Sequence, residues 1–471
     1  MSESDKNSPG YHNAAHQSME PAWRVMNDTC AGTVRLRAQG KLYLPQEPAE
    51  DANEYNARRN RAIFFNAVDR TVNALTGMVF RKEPHLSEDN SPALLELWEN
   101  IDNAGTHASV FAKEAFASAL KYGHGLIYVD MPPPLPPGAT LADERALNRR
   151  PYWVFYEADQ IVNWRTETIE GRTVLTLLVL EEESTEPDGE YGEKKVERYR
   201  VLRPGSWQLY REMEVNSKKE YLLEAEGPTS LPEIPVAVIY TRRAGVLTSK
   251  PPLLDLALLN VTHYQKYSDY STYLHVSSRP VLWFRGRNTA KQIEPIGPYT
   301  FFDVDQENGH VAFAETTGAA LAAARTDLED LKAQMATLGL SLLAGPTPAP
   351  TTATEQLITR IQSDSDLATA ARSLKDALEL ALQFTGAYIG QESGSVELEA
   401  LSDGLFLTAQ DVQTYSAMVA SRQLSLDTMW AVLERAGRLP EDFDPEQEKE
   451  RIGEEADNIG DALLTAFDRG Q

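Results

Sequence analysis

His12 and His16 stand four residues apart, a spacing that on a helix would turn two imidazoles toward one metal ion. No third ligand lies close in the chain, so coincidence is the simpler account. Seventy carboxylates are too many for any two to be singled out as a general acid and base, and most must be surface charge. Arg285 and Arg287, in WFRGR, could meet phosphate or an acidic partner, and the solubility of an edge strand explains them equally well. Tyr264, Tyr267, Tyr270 and Tyr273 recur every three residues, as a ladder for stacking bases would. That spacing also carries the rings around a helix and against a neighbour, with hydroxyls at the rim. The single cysteine, Cys30, allows neither an intrachain disulfide nor a thiolate cluster and reads as a packed or idle thiol.

Motifs that mark common enzyme classes are missing. The sequence has no Gly-x-x-x-x-Gly-Lys phosphate cradle, no Gly-x-Gly-x-x-Gly after a strand, no His-Glu-x-x-His and no Gly-x-Ser-x-Gly elbow. The expectation is a protein without catalytic residues, bound metal or cofactor. Forty-five basic against seventy acidic side chains leave a formal charge of −25, which argues against a broad phosphate-attracting surface. The first twenty residues lack the apolar core of a secretory signal, and the longest aliphatic run, LTLLVL at 175–180, is strand-sized. The expectation is a soluble chain made without export and without a membrane partner.

The elements follow from periodicity. Residues 58–82 place Phe64, Val68, Val72, Leu75 and Val79 on one stripe and predict an amphipathic helix. Helices are also predicted at 93–103 and 108–122, the latter stopped by Gly123 and Gly125 before the strand LIYVDM. MPPPLPPG at 131–138 reads as a stiff surface turn. Between 151 and 241 the pattern becomes strands separated by turn-formers and acidic loops such as STEPDGEYGE. Residues 253–276 predict a helix of roughly 36 Å, followed by a small β module with a hairpin signal at Asn308-Gly309. A helix over 319–343 returns, with Leu321, Leu328, Leu331, Met335 and Leu338 on a stripe.

Then comes LLAGPTPAPTTATEQL, in which three alternate prolines interrupt two helical patterns. Thr352 to Glu355 fits a capping box, and a helix of roughly 55 Å is predicted over 353–389. A strand, VELEAL, short helices from 408 to 436 and an acidic end close the chain; residues 441–471 hold eleven acidic and three basic side chains, read as a solvated face. The fold class is α+β. Two antiparallel helices with a distal β tip bury themselves poorly alone and call for neighbours.

Three segments carry a resemblance: 55–82, 251–286 and 422–452. In their length and order the sequence resembles the portal proteins of tailed bacteriophages, in a branch often filed under a domain of unknown function. The resemblance runs from about residue 43 to the end. It implies an α/β wing (1–252), a stem helix (253–277), a β clip (278–318), a returning stem helix (319–339), a tunnel loop (340–353), a long kinked wing helix (354–390), and a helical crown with the acidic C-terminal region (391–471). It also implies a homo-oligomeric ring, usually of twelve copies, at one capsid vertex of the virion, assembled in the host bacterial cytoplasm. Double-stranded DNA would pass through it non-specifically during packaging and ejection. The implied partners are the terminase large subunit, the major capsid and scaffolding proteins, and then a tail adaptor.

Carried over by position, the tunnel loop would comprise Leu343, Ala344, Gly345, Pro346, Thr347, Pro348, Ala349, Pro350, Thr351 and Thr352. The residues suit that role: prolines stiffen the loop, and glycine, alanine and threonine leave it slim, uncharged and unable to grip a base edge. Arg325, Lys332 and Arg360 are candidates for sparse basic rings in a lumen, and Arg285, Arg287 and Lys291 in the clip for docking a motor or adaptor. A capsid scaffold or adaptor oligomer without a channel, and a large acidic hydrolase, remain as other classes.

Overall fold

A computed structural model describes residues 6–132, 149–277, 281–285, 310–314, 318–340, 366–398, 409–435, 439–440 and 443–451. The chain enters as a helix that the sequence pattern did not mark. Helix α1 (Ala14–Ala31) begins where the Asn13 side chain accepts from His16 N at 2.8 Å, and buries Met19, Trp23 and Met26. Pro21 lies inside it and can donate no N–H to the turn before, which hides the helix from propensity arguments. The expected helix over 58–82 is in fact two, α3 (Ala52–Arg61) and α4 (Ala67–Val79), after a short α2 (Thr33–Gln39). Asn66 caps α4 by accepting from Asp69 N, and Val68, Val72, Leu75 and Val79 fill its buried stripe. Phe64, read as part of that stripe, lies in the link and packs in a different cluster.

Helices α5 (Pro92–Trp98) and α6 (Ala108–Tyr122) follow. Gly123, at φ 95, ends α6 in the left-handed region; a Cβ there would sit 2.4 Å from Ser249 Oγ, so glycine is required twice over. Strand β1 (His85–Leu86) is short; β2 (His124–Asp130), β3 (Tyr152–Glu157) and β9 (Val236–Tyr240) form an antiparallel sheet in the order β3-β2-β9. Between β3 and β9 runs a five-stranded meander, β4 (Ile161–Ile169), β5 (Arg172–Asp188), β6 (Gly192–Arg203), β7 (Ser206–Val215) and β8 (Lys218–Pro228). Two of its four hairpins turn through Glu170-Gly171 and Asn216-Ser217, all at positive φ, the geometry that matches strand twist. The acidic stretch expected as a loop is mostly strand: residues 184–188 continue β5 and pair with β6. Arg198 and Arg211 reach Glu186 from the neighbouring strands and neutralise it.

Alternation on the three-stranded sheet sorts two cores. Ile127, Val129, Trp153, Ala237 and Ile239 join the large helical core. Leu126, Tyr128, Tyr156 and Val236 face Ile161, Leu178, Leu180 and Leu202 of the meander. The result is three layers: helices, sheet, sheet. Two small sheets stand outside them, β10 (Arg243–Gly245) with β11 (Thr248–Ser249), and β1 with β14 (Val396–Glu397).

After β11 the chain leaves this body as α7 (Leu254–Ser277), forms the antiparallel pair β12 (Val281–Arg285) and β13 (His310–Ala314), and returns as α8 (Gly318–Leu340). Helix α9 (Asp366–Ile389) then buries Leu367, Ala371, Leu374, Leu378 and Leu382 at helical spacing in the centre of the helical core. The last described helices, α10 (Ala409–Ala420) and α11 (Leu426–Arg435), share a small cluster around Tyr415. Residues 353–365 of the expected 55 Å helix, and the Asn308-Gly309 hairpin, lie outside the described residues.

Candidate functional site

The feature that stands apart from the layered body is the rod of α7 and α8. Its antiparallel course is fixed by paired contacts. Lys332 Nζ lies 5.5 Å from the centre of the Phe65 ring, against which His263 is tilted; Lys266 Nζ bonds Asp327 at 2.8 Å further out; Leu328, Leu331 and Met335 supply the buried stripe of α8. Leu338 packs partly against the core, as the expected stripe requires.

The rod's root is anchored by an asparagine that sequence reasoning passed over. Asn260 is fully buried; its Oδ1 accepts from Ala67 N at 3.1 Å and its Nδ2 donates to Phe65 O at 2.8 Å, so it clasps the link between α3 and α4. The only hint lay in a polar residue within an apolar helical run. Gln265 donates to Tyr43 O at 2.9 Å, and Tyr264 packs edge-on to Phe64. Arg58, also missed, is buried on the same side. Its Nε and Nη2 engage both oxygens of Glu50 at 2.7 and 2.8 Å, Nη2 reaches Pro45 O, and Asp269 lies 3.7 Å from Nη1. The Arg58 bond holds the Glu50 carboxyl below its ordinary range.

Along the rod a cleft of about 1000 Å³ opens between α3, α7 and α8. Its charged wall includes Glu47, Glu54, Arg61, Lys266 and Asp327; Tyr270, Tyr273, Ala320 and Ala324 give it an apolar side. Burial raises the Asp269 carboxyl, with Arg58 pulling the other way. Leu258, Tyr273 and Leu274 on α7 are each between a third and a half exposed. The tyrosine series divides as spacing by three dictates. Tyr264 is buried, Tyr267 stacks on His263 within 10° of parallel, and Tyr270 and Tyr273 reach the cleft.

Of the residues singled out from sequence, Arg325 is exposed on α8 and bonded to Glu329 one turn on, which raises its pKa. Lys332 sits over Phe65 at the root. Arg285 ends β12 opposite His310. Residues 343–352, Arg360, Arg287 and Lys291 lie outside the described residues. His12 and His16 are neighbours, their rings 4.5 Å apart edge to face, and His16 Nδ1 donates to Ile161 O at 3.1 Å. Among the described residues no group of three or more His, Cys, Asp or Glu could hold a metal ion, and no helix is long and apolar enough to cross a membrane. Burial pushes the Cys30 thiol up to about 11, a poorly ionised, inert sulfur.

Residues 252–389, which hold the rod and α9, match a family described as a domain of unknown function, DUF4055. No curated protein matches the chain. Among solved structures it is distantly similar to chains of gene transfer agent particles. A chain from the virion of the native particle is 13% identical, with a TM-score of 0.38, covering 79% of this chain and 87% of that one. A chain from the neck of the empty particle, computed with C6 symmetry, is 12% identical with a TM-score of 0.38, over 80% and 87%. One from the neck of the native particle, computed with C12 symmetry, is 13% identical with a TM-score of 0.36, over 86% and 96%.

Proposed function

We propose that the chain is a portal subunit, one copy of a ring at a capsid vertex that conducts double-stranded DNA in and out without chemistry. The observation that carries this reading is the rod. Two helices of 24 and 23 residues project from a layered body to a two-stranded tip, and α7 leaves the apolar side chains of Leu258, Tyr273 and Leu274 partly exposed. Such surface is stabilised by burial, at about 25 cal/mol per Å², and copies set side by side around a closed ring provide it repeatedly.

In this reading the body is the wing, α7 and α8 the stem, β12 and β13 the core of the clip, and residues 340–353 the tunnel loop. The charge of −25 per chain then serves passage: a lining poor in cations gives phosphates few places to bind, so DNA of any sequence slides. Terminase, and later a tail adaptor, would meet the clip end, where Arg285, Arg287 and Lys291 lie in sequence. Twelve copies is the number the family resemblance implies.

Native mass spectrometry and end-on electron micrographs of the purified chain test the reading. Closed rings with a central hole of roughly 20 Å or more, the outer diameter of a B-form duplex, are expected. A chain that stays single under all assembly conditions overturns the proposal. Rings or stacks without a hole would instead favour an adaptor or scaffold.

A further inference from the structure

The outer face of the meander holds a second cleft, of about 520 Å³, far in sequence from the rod and unlike the rest of this acidic chain. Among the described residues its lining includes three cations, Arg165, Arg203 and Lys6, and no carboxylate. On the same strands Arg198, Arg200 and Arg211 each sit between two carboxylates. Among the described residues Arg165, Arg203 and Lys6 have no ion pair at all. We propose that this cleft binds a phosphate monoester with a flat or aliphatic body, a ligand of mononucleotide size.

The register sets the geometry. Arg165 on β4 pairs with Leu177 on β5, and Arg203 lies one step beyond the Leu178–Leu202 pair on β6, so the two arginines flank Leu177 from either side. Strands are about 4.8 Å apart, which puts the two backbones roughly 10 Å apart with both side chains on one face. Two guanidinium groups can close on a single phosphate from there, each donating a planar pair of N–H groups. Among the described residues neither cation is neutralised by a carboxylate.

Arg203 is steered by a neutral partner. Its Nη1 donates to Gln208 Oε1 at 3.2 Å, Tyr210 Oη donates to the same oxygen at 3.3 Å, and Gln208 Nε2 donates to Glu226 at 3.0 Å. The amide thus occupies the nearby carboxylate and leaves the arginine's charge for a ligand. Leu177, Val179 and Val201 make an apolar floor, and Lys6 closes the cleft from the N-terminal segment. A volume in the range of small-molecule sites, an apolar floor and a few convergent polar groups are what such a ligand requires.

Calorimetric titration of the full-length chain with AMP, inorganic phosphate and adenosine at low salt tests the proposal. AMP is expected to bind saturably, more tightly than phosphate by about tenfold, and adenosine weakly or not at all. The R165A/R203A double variant should raise the AMP Kd at least about tenfold, with an unchanged melting temperature because both side chains are exposed. No saturable heat with AMP or phosphate overturns the site, as does a double variant that binds like the parent. Equal affinity for AMP and phosphate overturns the part assigned to the floor. Ring formation is indifferent to each of these outcomes.

Discussion

The indole Nε1–H of Trp153 donates to Thr385 Oγ1 at 2.8 Å, joining residues 232 positions apart across the whole excursion of the rod. Trp153 is 1% exposed and Thr385 is 1% exposed, so the bond has no water to replace it.

Replacing Thr385 by Val therefore leaves a buried donor unpaired, at a cost of about 1–3 kcal/mol, whereas T385S retains the hydroxyl and should lose less than half of that. Urea unfolding of the two variants measures the difference. Equal losses would show that the methyl group, not the bond, matters.

Lys266 and Asp327 tie α7 to α8, but each side chain is nearly half exposed. Solvent screening keeps such a pair to about 0–1 kcal/mol. K266A and D327A should each shift the unfolding midpoint only slightly, and a double-mutant cycle should give a coupling of about 0.5 kcal/mol that vanishes at high salt. A coupling several times larger would mean that the rod is far less hydrated than its exposure indicates.

Acid should destabilise the chain through two histidines. Burial, with His12 adding, lowers His16 from 6.5 to about 4. Burial, with His16 adding, lowers His124, whose Nδ1 lies 2.7 Å from Ser249 Oγ, to about 4 as well. The unfolded imidazoles take up protons near 6.5, so between about 6.5 and 4 the unfolded state binds more protons and stability falls as pH drops. The loss is up to about 3 kcal/mol per histidine. Glu181 acts in the opposite sense: burial, then Glu197, raises it from 4.5 to about 7, so the folded state gains on acidification in that window. Its carboxyl is a third exposed, and the histidines prevail. H16N, which keeps an N–H for Ile161 O, should flatten the pH dependence of the urea midpoint. The same slope in parent and variant would remove His16 from the account.

Deleting Gly345 to Pro350 should leave ring assembly nearly intact, because the rod and body supply the buried contacts, yet impair packaging or retention of DNA. Particle counts by microscopy and encapsidated DNA by nuclease protection separate the two effects. Loss of rings would make the segment structural.

What was legible in the sequence was periodic. The rod, the meander and the stripe of α4 are local patterns of period 3.6 or 2, and their spacing alone announces them. What was hidden depended on distant partners. The break at 62–66 is held open by Asn260, 193 to 195 positions away. Pro21 masked α1, and residues 184–188 extend as strand because Arg198 and Arg211 arrive from neighbouring strands. Lys332, a candidate for a basic ring in a lumen, lies over Phe65, where the packing of α8 on the body brings the root of the rod. The cation-only cleft comes from register between strands, which no single stretch reveals.

The large core draws on residues from Met26 to Leu398, with the rod emitted from its middle. A ribosome adding roughly 5–20 residues per second holds the first of these in hand for on the order of half a minute before the last emerges. During that interval α5, α6, β2 and β9 lack the helix, α9, that packs on them. Nascent copies must therefore wait, partly open and close to one another on a shared message, and a holding chaperone has its longest opportunity there.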